Sequence, residues 1–354
     1  MQTTIPRSET ECLVAREDAP ESAHPTRRSR LDPRWPLYVV YFGQSWVIAR
    51  IYWRLTLQLE TATIWDMVGG VARAPFQYRI LMPWIMGLIS RVTGVDDVVL
   101  IDVGLRTLVM FGVMVLTRRW LRHFVHPVLA DVGPLLLGTV LLGTLYWYWP
   151  YDFSGILLWT AALVALVERR YALYLLLFVI GTVNRETTAL LVGIFLTTQW
   201  ETLGARRALR WAGLQVALFA AIYIGLHALI RPDSGGAIEL HWLENIGFLL
   251  GQNHISAFEN WMSLLAAVGF LWLLASWRPR TKSSFLIRSC WILPVHAVII
   301  FVTGRLAEPR LWSEWVPVVM ALAGQNLMEL TRSEQERPPA ESTDSATDLP
   351  LADI

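Results

Sequence analysis

The sequence predicts an all-α integral membrane protein: a polytopic bundle of about nine or ten transmembrane segments, some of them short or broken helices. Hydrophobic residues make up 54% of the 354-residue chain and charged residues only 17%. Soluble domains carry about 25% charged residues. Several apolar runs approach the roughly 20 residues that cross a bilayer as an α-helix. The lipid bilayer is therefore the expected partner, and nothing in the sequence indicates nucleic acid.

The chain divides into a membrane domain, 37–330, between two polar tails. Residues 1–36 are polar and Arg-rich and lack the apolar core of a signal peptide, whereas the acidic residues 331–354 are typical of disorder. Segment 80–93 contains Pro83 and is too short to cross, so we expect a helix along the outer interface there. The predicted spans are 37–57, 98–117, 127–148, 153–167, 171–183, 188–199, 211–230, 261–276, 285–303 and 315–329.

Basic residues determine the predicted orientation of this bundle. If the N-terminus is cytoplasmic, most of the 30 Lys and Arg residues fall in tails and loops on the cytoplasmic side, as the positive-inside rule requires. The basic clusters of these loops lie at 118–122, 169–170, 206–210 and 278–282. The sequence therefore predicts that both termini are cytoplasmic.

The triplet Asn184-Arg185-Glu186 interrupts the apolar segment 171–199. One continuous helix through this segment would move two downstream basic clusters to the opposite side, so the sequence favours two short helices that meet at the triplet. A helix over 171–183 reaches only about 20 Å, less than the roughly 30 Å of a bilayer core. We therefore expect the triplet to be recessed inside the bundle, where charges are costly and usually functional.

This topology brings several unusual polar groups to the outer side of the bundle. Convergence of acids, arginines and aromatic side chains on one face is typical of an active site or a polar-ligand site. The groups are Asp66, Gln77, Tyr78, Arg79, Tyr151, Asp152, Asn184, Arg185, Glu186, Glu308 and Arg310. The loop 231–260 adds His241, Glu244, Asn245, Gln252, Asn253, His254 and Glu259.

Several of these groups also have a purely structural interpretation. Arg185 and Glu186 can neutralise one another, or pair with Arg79 or Glu308, and so hold two broken helices together. Glu308 and Arg310 can form an ordinary ion pair in an interfacial loop. Pairing and ligand binding both remain open for these residues from the sequence alone.

The remaining acids have structural interpretations of their own. Asp152 comes directly before the span 153–167 and can serve as its N-cap. Asp66 can be an ordinary exposed loop residue. Asp102 and Arg106 are four residues apart in an apolar helix, which predicts an internal salt bridge.

Several kinds of chemistry have no matching motif in the sequence. The chain contains no P-loop, no dinucleotide-binding fingerprint and no Gly-x-Ser-x-Gly or Cys–His nucleophile signature. His241 and His254 lack the spacing of zinc ligands, so a zinc site is only weakly indicated. The remaining candidate is a ligand that reaches the site from the lipid bilayer and carries an anionic head group that arginines can bind.

This layout resembles the polytopic membrane glycosyltransferases of the GT-C fold class, particularly short bacterial members and uncharacterised relatives. The resemblance covers roughly residues 37–329. It rests on Asp66 in the first outer loop, the run from Pro75 to Pro83, Tyr151-Asp152, Asn184-Arg185-Glu186 and the late Glu308-Pro-Arg310 loop. It implies a GT-C-like fold in a bacterial plasma membrane and transfer of a sugar from a polyprenyl-phosphate donor to an acceptor on the non-cytoplasmic face.

The resemblance also implies roles for individual residues. Asp66 would be the catalytic base that deprotonates the acceptor hydroxyl. The arginines would bind the lipid phosphate and stabilise its charge as it leaves, and Glu186 or Glu308 would position an arginine or help to hold a metal. A divalent metal cofactor is left open and no other cofactor is expected. The expected substrate-binding residues are Gln77, Tyr78, Arg79, Asp152, Asn184, Arg185, Glu186, Glu308 and Arg310.

The chain departs from this family's pattern in its first outer loop. Many members have two acids close together there, whereas Asp66 has no acidic neighbour nearer than Glu60 and the pair Asp96-Asp97. A second hypothesis is therefore a non-catalytic membrane protein that binds a lipid phosphate, either a transporter or a partner in envelope polysaccharide or glycolipid assembly. Transporters usually carry paired helix breaks in repeat-related positions, and only one clear break is predicted here.

Overall fold

A computed structural model of the chain is all-helical. It describes residues 34–56, 62–142, 148–231, 235–236, 239–252 and 255–335, and no β-strand occurs in these ranges. Short 3-10 segments join several of the helices. The helices are α1 (Trp35–Leu55), α2 (Ile64–Gly69), α3 (Leu81–Thr93), α4 (Val98–Leu121), α5 (Pro127–Val132), α6 (Leu137–Leu142), α7 (Asp152–Val167), α8 (Tyr171–Asn184), α9 (Leu190–Leu203), α10 (Ala205–Leu229), α11 (Trp242–Leu249), α12 (Ala257–Ala266), α13 (Leu271–Ser276), α14 (Ser284–Cys290), α15 (Leu293–Thr303) and α16 (Val316–Gln335).

The predicted all-α class is confirmed, and every predicted span contains helix. The bounds differ at the two ends of the membrane domain. Helix α1 begins at Trp35, within the predicted N-terminal tail, and α16 continues to Gln335, within the predicted C-terminal tail. The rest of both tails, together with Glu60, Asn253 and His254, lies outside the described residues.

Four helical segments are long and apolar enough to cross a membrane: Val98–Leu121, Ala205–Leu229, Ala257–Ser276 and Ser284–Thr303. Only 11% of the apolar window of α10 is buried inside the structure, and Ile224 is 66% exposed. Such large exposed apolar surfaces are unusual for a soluble monomer, so these helices indicate a membrane-embedded protein. The full count of nine or ten spans stays a prediction.

Helices α8 and α9 form the predicted pair of short helices with a break between them. Helix α8 ends at Asn184, Arg185 adopts an extended conformation, and a 3-10 turn leads into α9. The Tyr174 hydroxyl donates to the carbonyl oxygen of Leu191 over 2.9 Å, and the Tyr171 hydroxyl donates to the side chain of Gln199 over 3.0 Å. Because later residues of α8 face earlier residues of α9, the two helices run antiparallel.

The predicted salt bridge inside α4 is confirmed. Arg106 Nη2 lies 2.8 Å from Asp102 Oδ1, and both side chains are almost fully buried. The Arg106 guanidinium also lies over the rings of Tyr52 and Tyr148, 4.4 Å and 4.5 Å from their centroids. These contacts fix one aromatic wall of the bundle close to the start of α7.

Helix α7 separates two polar ends of the bundle. It begins at Asp152, and its 16 residues span about 24 Å. Just past its other end, Glu168 accepts hydrogen bonds from Arg119 over 2.6 Å and lies 3.1 Å from Arg170. Phe285 of α14 packs against Trp120, near the C-terminal end of α4. Phe285 follows the basic segment 278–282 closely in the sequence. Three predicted basic clusters therefore share one end, although which side of a membrane it faces stays a prediction.

We expect the packing of α9 against the start of α15 to depend on Gly193. A Cβ atom at this position would lie 2.5 Å from Ile292 Cδ1, whereas a Cβ atom at Gly213 of α10 would meet nothing within 4 Å. Gly193→Leu should therefore lower the free energy of unfolding by about 1–3 kcal/mol through overpacking. The matched control Gly213→Leu should be neutral or slightly stabilising, since leucine favours helix over glycine. Thermal unfolding of the purified protein in detergent measures both, and equal effects would contradict this packing.

Candidate functional site

Asp152 lies at the centre of a buried ion-pair network. Its Oδ1 lies 3.2 Å from Nη1 of Arg310 and 3.7 Å from Nη1 of Arg185. The Tyr52 hydroxyl donates to its Oδ2 over 3.4 Å. The N-cap interpretation of Asp152 is wrong, because Tyr151 occupies the cap position and no side chain caps the helix. The carboxylate serves instead as a shared counter-charge for two arginines.

Two glutamates complete the charge balance around these arginines. Arg310 Nη2 donates to Glu308 Oε2 over 2.6 Å. On the other side, Arg185 Nη1 lies 3.3 Å from Oε1 of Glu314, which also accepts from the Thr187 hydroxyl over 2.5 Å. Burial raises the pKa of the Glu314 carboxyl above its ordinary value, and Arg185 offsets this only in part. Burial therefore disfavours the charged form of this carboxyl relative to an exposed glutamate, whereas Arg185 favours it.

A second ion pair lies beside this network. Arg79 Nε lies 3.0 Å from Glu186 Oε2, and Arg79 Nη1 donates to the Tyr151 hydroxyl over 2.6 Å. Burial alone would lower the pKa of Arg79, but the Glu186 carboxylate and the Tyr151 hydroxyl together outweigh it, and the pKa lies above its usual value. The Trp149 ring stacks on Phe76 with centroids 4.3 Å apart. Arg79 is thus held charged against an aromatic surface.

The helix break explains why neighbouring residues reach different partners. Arg185 has φ −165° and ψ 142°, which is extended backbone, and successive side chains of an extended segment point to opposite sides. Arg185 accordingly faces Asp152 and Glu314, while Glu186 faces Arg79. A continuous helix would not separate the two charges in this way.

A cavity of about 390 Å³ lies next to the network. Its volume falls within the range of small-molecule sites. One wall is polar and arginine-rich, and the other contains apolar side chains of α9 and α15. The lining residues are Arg73, Pro75, Phe76, Arg79, Trp149, Arg185, Glu186, Thr187, Ala189, Leu190, Tyr223, Glu239, His241, His296, Ile299, Ile300, Thr303, Gly304, Arg305, Glu308, Arg310 and Leu311.

Two buried guanidinium donors of cavity-lining arginines have no hydrogen-bond acceptor among the described residues: Nε of Arg185 and Nε of Arg310. Nη1 of Arg185 makes no hydrogen bond of good geometry, but it keeps its ion-pair contacts with Glu314 and Asp152. The two arginine side chains are only 2% and 4% exposed, so bulk water does not satisfy these donors. A buried donor without an acceptor costs about 1–3 kcal/mol or more when charged. The arrangement is therefore suited to an anionic ligand that supplies acceptor oxygens.

Six of the predicted site residues come together here. Arg79, Arg185, Glu186, Glu308 and Arg310 line the cavity, and Asp152 supports them from behind. The sequence-based expectation of converging acids and arginines is therefore met for this group.

Besides Asp152, three predicted substrate-binding residues are not among those that line the cavity. The Asn184 side chain is buried and bonds Ser154 Oγ and the carbonyl oxygen of Tyr151, over 2.7 Å and 3.2 Å. Gln77 accepts from the backbone N–H of Ala72 over 2.8 Å, and Tyr78 stacks on His227. These contacts shape the loops around the site.

Asp66, the expected catalytic base, does not line the cavity either. It lies in the first turn of α2, where its Oδ2 accepts from the backbone N–H of Thr63 over 3.0 Å and from its hydroxyl over 2.7 Å. The Thr63 hydroxyl in turn accepts from the Asp66 N–H, which completes a capping box. The described structure therefore gives Asp66 a role in starting a helix.

The sequence analysis missed several residues of the site. Glu314 lies directly before the predicted span at 315–329, between Trp312 and Trp315, and an acid in that apolar setting was the available signal. Tyr52 lies between Arg50 and Arg54 in the predicted span 37–57, and nothing in that pattern singles out the tyrosine. Arg73 and Glu239, 166 residues apart, form an ion pair at 2.6 Å that no spacing rule could reveal.

The described residues offer no ready-made metal site. Within them, no group of three or more His, Cys, Asp or Glu side chains converges closely enough to hold a metal ion. Glu186 and Glu308 instead bond Arg79 and Arg310. We therefore derive no step through a metal.

We expect the protein to lose stability if the Asp152 carboxylate, which two arginines share, loses its charge. Asp152→Asn leaves Arg185 and Arg310 short of a counter-charge, and breaking a buried pair typically costs about 3–5 kcal/mol. The control Glu201→Gln breaks the 2.6 Å pair with Arg288, in which Glu201 is 68% exposed, and should cost at most about 1 kcal/mol. Thermal unfolding in detergent checks both variants, and similar losses would contradict the central role of Asp152.

Comparison of the chain with protein-family models, curated proteins and solved structures finds no match, so the site is interpreted from its own geometry.

Proposed function

We propose that the cavity binds the phosphate of a lipid-linked sugar and that the chain transfers this sugar to an acceptor, as the GT-C resemblance implies. The observation that carries the proposal is the set of buried, acceptor-free donors on Arg185 and Arg310. Phosphate oxygens are strong acceptors for guanidinium groups, and these charge-assisted hydrogen bonds are about twice as strong as neutral ones. The same donors would stabilise the negative charge that develops on the phosphate as it leaves.

The apolar wall favours a lipid-linked ligand over a free phosphate. Leu190 of α9 and Ile299 and Ile300 of α15 lie on the same cavity as the arginines. Helix α15 belongs to a segment that is long and apolar enough to cross a membrane. A ligand with an anionic head and an apolar tail contacts both walls at once, which a soluble phosphate cannot do.

The cellular setting is part of this proposal. A GT-C-like bundle in a bacterial plasma membrane, with both termini cytoplasmic, would place the cavity on the non-cytoplasmic side, where lipid-linked sugars are used. The separation of the basic end from Asp152 by the length of α7 supports this orientation. Polyprenyl phosphate is the lipid carrier that the resemblance implies.

A second candidate function is binding of the same lipid phosphate without transfer, as in a transporter or an envelope assembly partner. One observation favours it. Each glutamate that lines the cavity is already paired with an arginine: Glu186 at 3.0 Å, Glu239 at 2.6 Å and Glu308 at 2.6 Å. These carboxylates are all engaged in ion pairs, so they fit a binding or positioning role better than that of a base.

Binding of the lipid phosphate should depend on the two buried arginines. We expect Arg185→Gln and Arg310→Gln each to weaken binding of polyprenyl phosphate by about tenfold or more, since each removes charge-assisted hydrogen bonds. The control Arg288→Gln removes an arginine that pairs with Glu201 away from the cavity. Titration of each folded variant in nanodiscs measures the dissociation constant. Unchanged binding in both buried variants would contradict the proposal.

Transfer itself is tested with purified protein, a radiolabelled polyprenyl-phosphate sugar and candidate acceptor lipids. Wild type should transfer the labelled sugar to the acceptor and release polyprenyl phosphate, and donor binding without transfer would favour the second candidate. Asp66→Asn should keep transfer, because Asp66 caps α2 and does not line the cavity. Loss of transfer in Asp66→Asn, with donor binding intact, would return the role of base to Asp66.

A further inference from the structure

Glu314 is a buried carboxyl group to which the proposed function assigns no role. It lies in the 3-10 segment Pro309–Trp315, which leads into α16, and its side chain is only 2% exposed. The small cavity beside it measures about 10 Å³, which is room for at most one water molecule. Its Oε2 atom has no hydrogen-bond partner among the described residues. The carboxyl group is thus poorly solvated, which disfavours its charged form.

Two buried arginines face three carboxylates at the centre of the network, so the charges balance only if one acid is neutral. The arginines are Arg185 and Arg310, and the carboxylates are those of Asp152, Glu308 and Glu314. The adjacent pair of Arg79 and Glu186 is balanced within itself and does not change this count. A bound anion would add one further negative charge to a group that already has an excess of one.

Of the three acids, Glu314 is the one whose charge is stabilised least. Asp152 Oδ1 lies within 3.7 Å of both arginines, and Glu308 accepts from Arg310 over 2.6 Å. In the described structure Glu314 pairs with one arginine, Arg185 at 3.3 Å, through only one of its oxygens. Burial raises the pKa of the Glu314 carboxyl, and the nearby Asp152 carboxylate acts in the same direction. A proton that enters this network therefore goes to Glu314.

Arg185 and Thr187 connect Glu314 to the cavity. Both of them line the cavity, whereas Glu314 does not. Arg185 Nη1 lies 3.3 Å from Glu314 Oε1, and the Thr187 hydroxyl donates to the same oxygen over 2.5 Å. Both contacts favour the carboxylate form, so a phosphate that binds Arg185 competes with Glu314 for its positive charge. Anion binding and protonation of Glu314 are therefore thermodynamically coupled.

We propose that Glu314 takes up a proton from solvent when the lipid phosphate binds, an inference that rests on the proposed function. In the free protein the Glu314 carboxylate is a counter-charge of Arg185. When phosphate oxygens bind Arg185, the negative charge of the ligand and the positive charge of the added proton cancel, so the buried network keeps its net charge. Because the coupling is reciprocal, protonation of Glu314 strengthens binding and a rise in pH weakens it.

Other titratable groups near Glu314 have to be separated from it in a test. The charged groups that face it from other parts of the chain are Asp152 of α7, Arg185 of the helix break and Arg79 of the loop before α3, and its own segment contributes Glu308 and Arg310. Arginines stay charged throughout the accessible pH range. His241 and His296 also line the cavity, and imidazoles ordinarily titrate near neutral pH.

The full-length protein in nanodiscs tests the coupling with a polyprenyl-phosphate sugar, whose phosphodiester keeps one negative charge throughout. The dissociation constant of the wild type should rise by about tenfold between about pH 5.5 and about pH 8, as expected for one coupled proton. Titration calorimetry in buffers of different ionisation enthalpy should show proton uptake on binding. Glu314→Gln should bind with nearly constant affinity over this range and without proton uptake.

Thr187→Val gives a second, independent measurement. It removes the hydroxyl hydrogen bond that favours the carboxylate form of Glu314, so the loss of affinity should occur at a higher pH than in the wild type. A merely structural role of Glu314 would not produce this shift. If Glu314→Gln does not fold, the Thr187→Val profile decides, and an unshifted profile overturns the inference.

The matched control is Glu201→Gln, because Glu201 is 68% exposed and pairs with Arg288 away from the cavity, so the wild-type pH dependence should be kept. A pH-independent wild type, or equal pH dependence in wild type and Glu314→Gln, overturns the inference and leaves the proposed function standing. Loss of the dependence in His241→Gln or His296→Gln, with retention in Glu314→Gln, assigns the proton to a histidine and also overturns it. Absence of binding by wild type at every pH overturns the proposed function and this inference together.

Discussion

The shared contact of Asp152 with Arg185 and Arg310 is the interaction on which the rest of the site depends. Burying a guanidinium without a counter-charge is expensive in an apolar bundle, and here two of them share one carboxylate oxygen at 3.2 Å and 3.7 Å. The contact joins the start of α7, the break between α8 and α9, and the loop that precedes α16. Three distant parts of the chain are held together at one point because their charges must be balanced there.

This constraint also explains the local geometry. Arg185 reaches Asp152 only because the helix stops at Asn184 and the chain becomes extended. Because of the same break, Glu186 faces Arg79 and pairs with it. Arg79 also donates a hydrogen bond to the Tyr151 hydroxyl. The short antiparallel helices α8 and α9 follow from the break, so the α8–α9 hairpin and the charge network are two results of one local sequence. The network still leaves arginine donors without acceptors, which is the basis for proposing an anionic ligand.

The sequence predicted the helical class, the spans and much of the network, for physical reasons. An apolar run indicates that its segment is buried or in contact with lipid. A charged residue within such a run is energetically costly, so it is easily recognised in the sequence. The role of Asp66 as a base stays a prediction: the structure shows it in a capping box with Thr63 and away from the cavity lining, and the sequence pattern alone does not distinguish a capping acid from a base. Glu314 was missed although its position between Trp312 and Trp315 is an unusual setting for an acid, because it lies just outside the predicted span at 315–329.

The sequence by itself determined that this chain is an apolar all-α bundle, that the segment around Arg185 breaks, and that Asp102 pairs with Arg106, because each of these depends on residues close together in the chain. Only the tertiary structure decided which charges meet. Asp152 and Arg310, or Arg73 and Glu239, are more than a hundred residues apart, and their pairing depends on helix packing. The position of His241 beside Glu239 on the wall of the arginine cavity was likewise invisible in the sequence, since the end of α15 places it there.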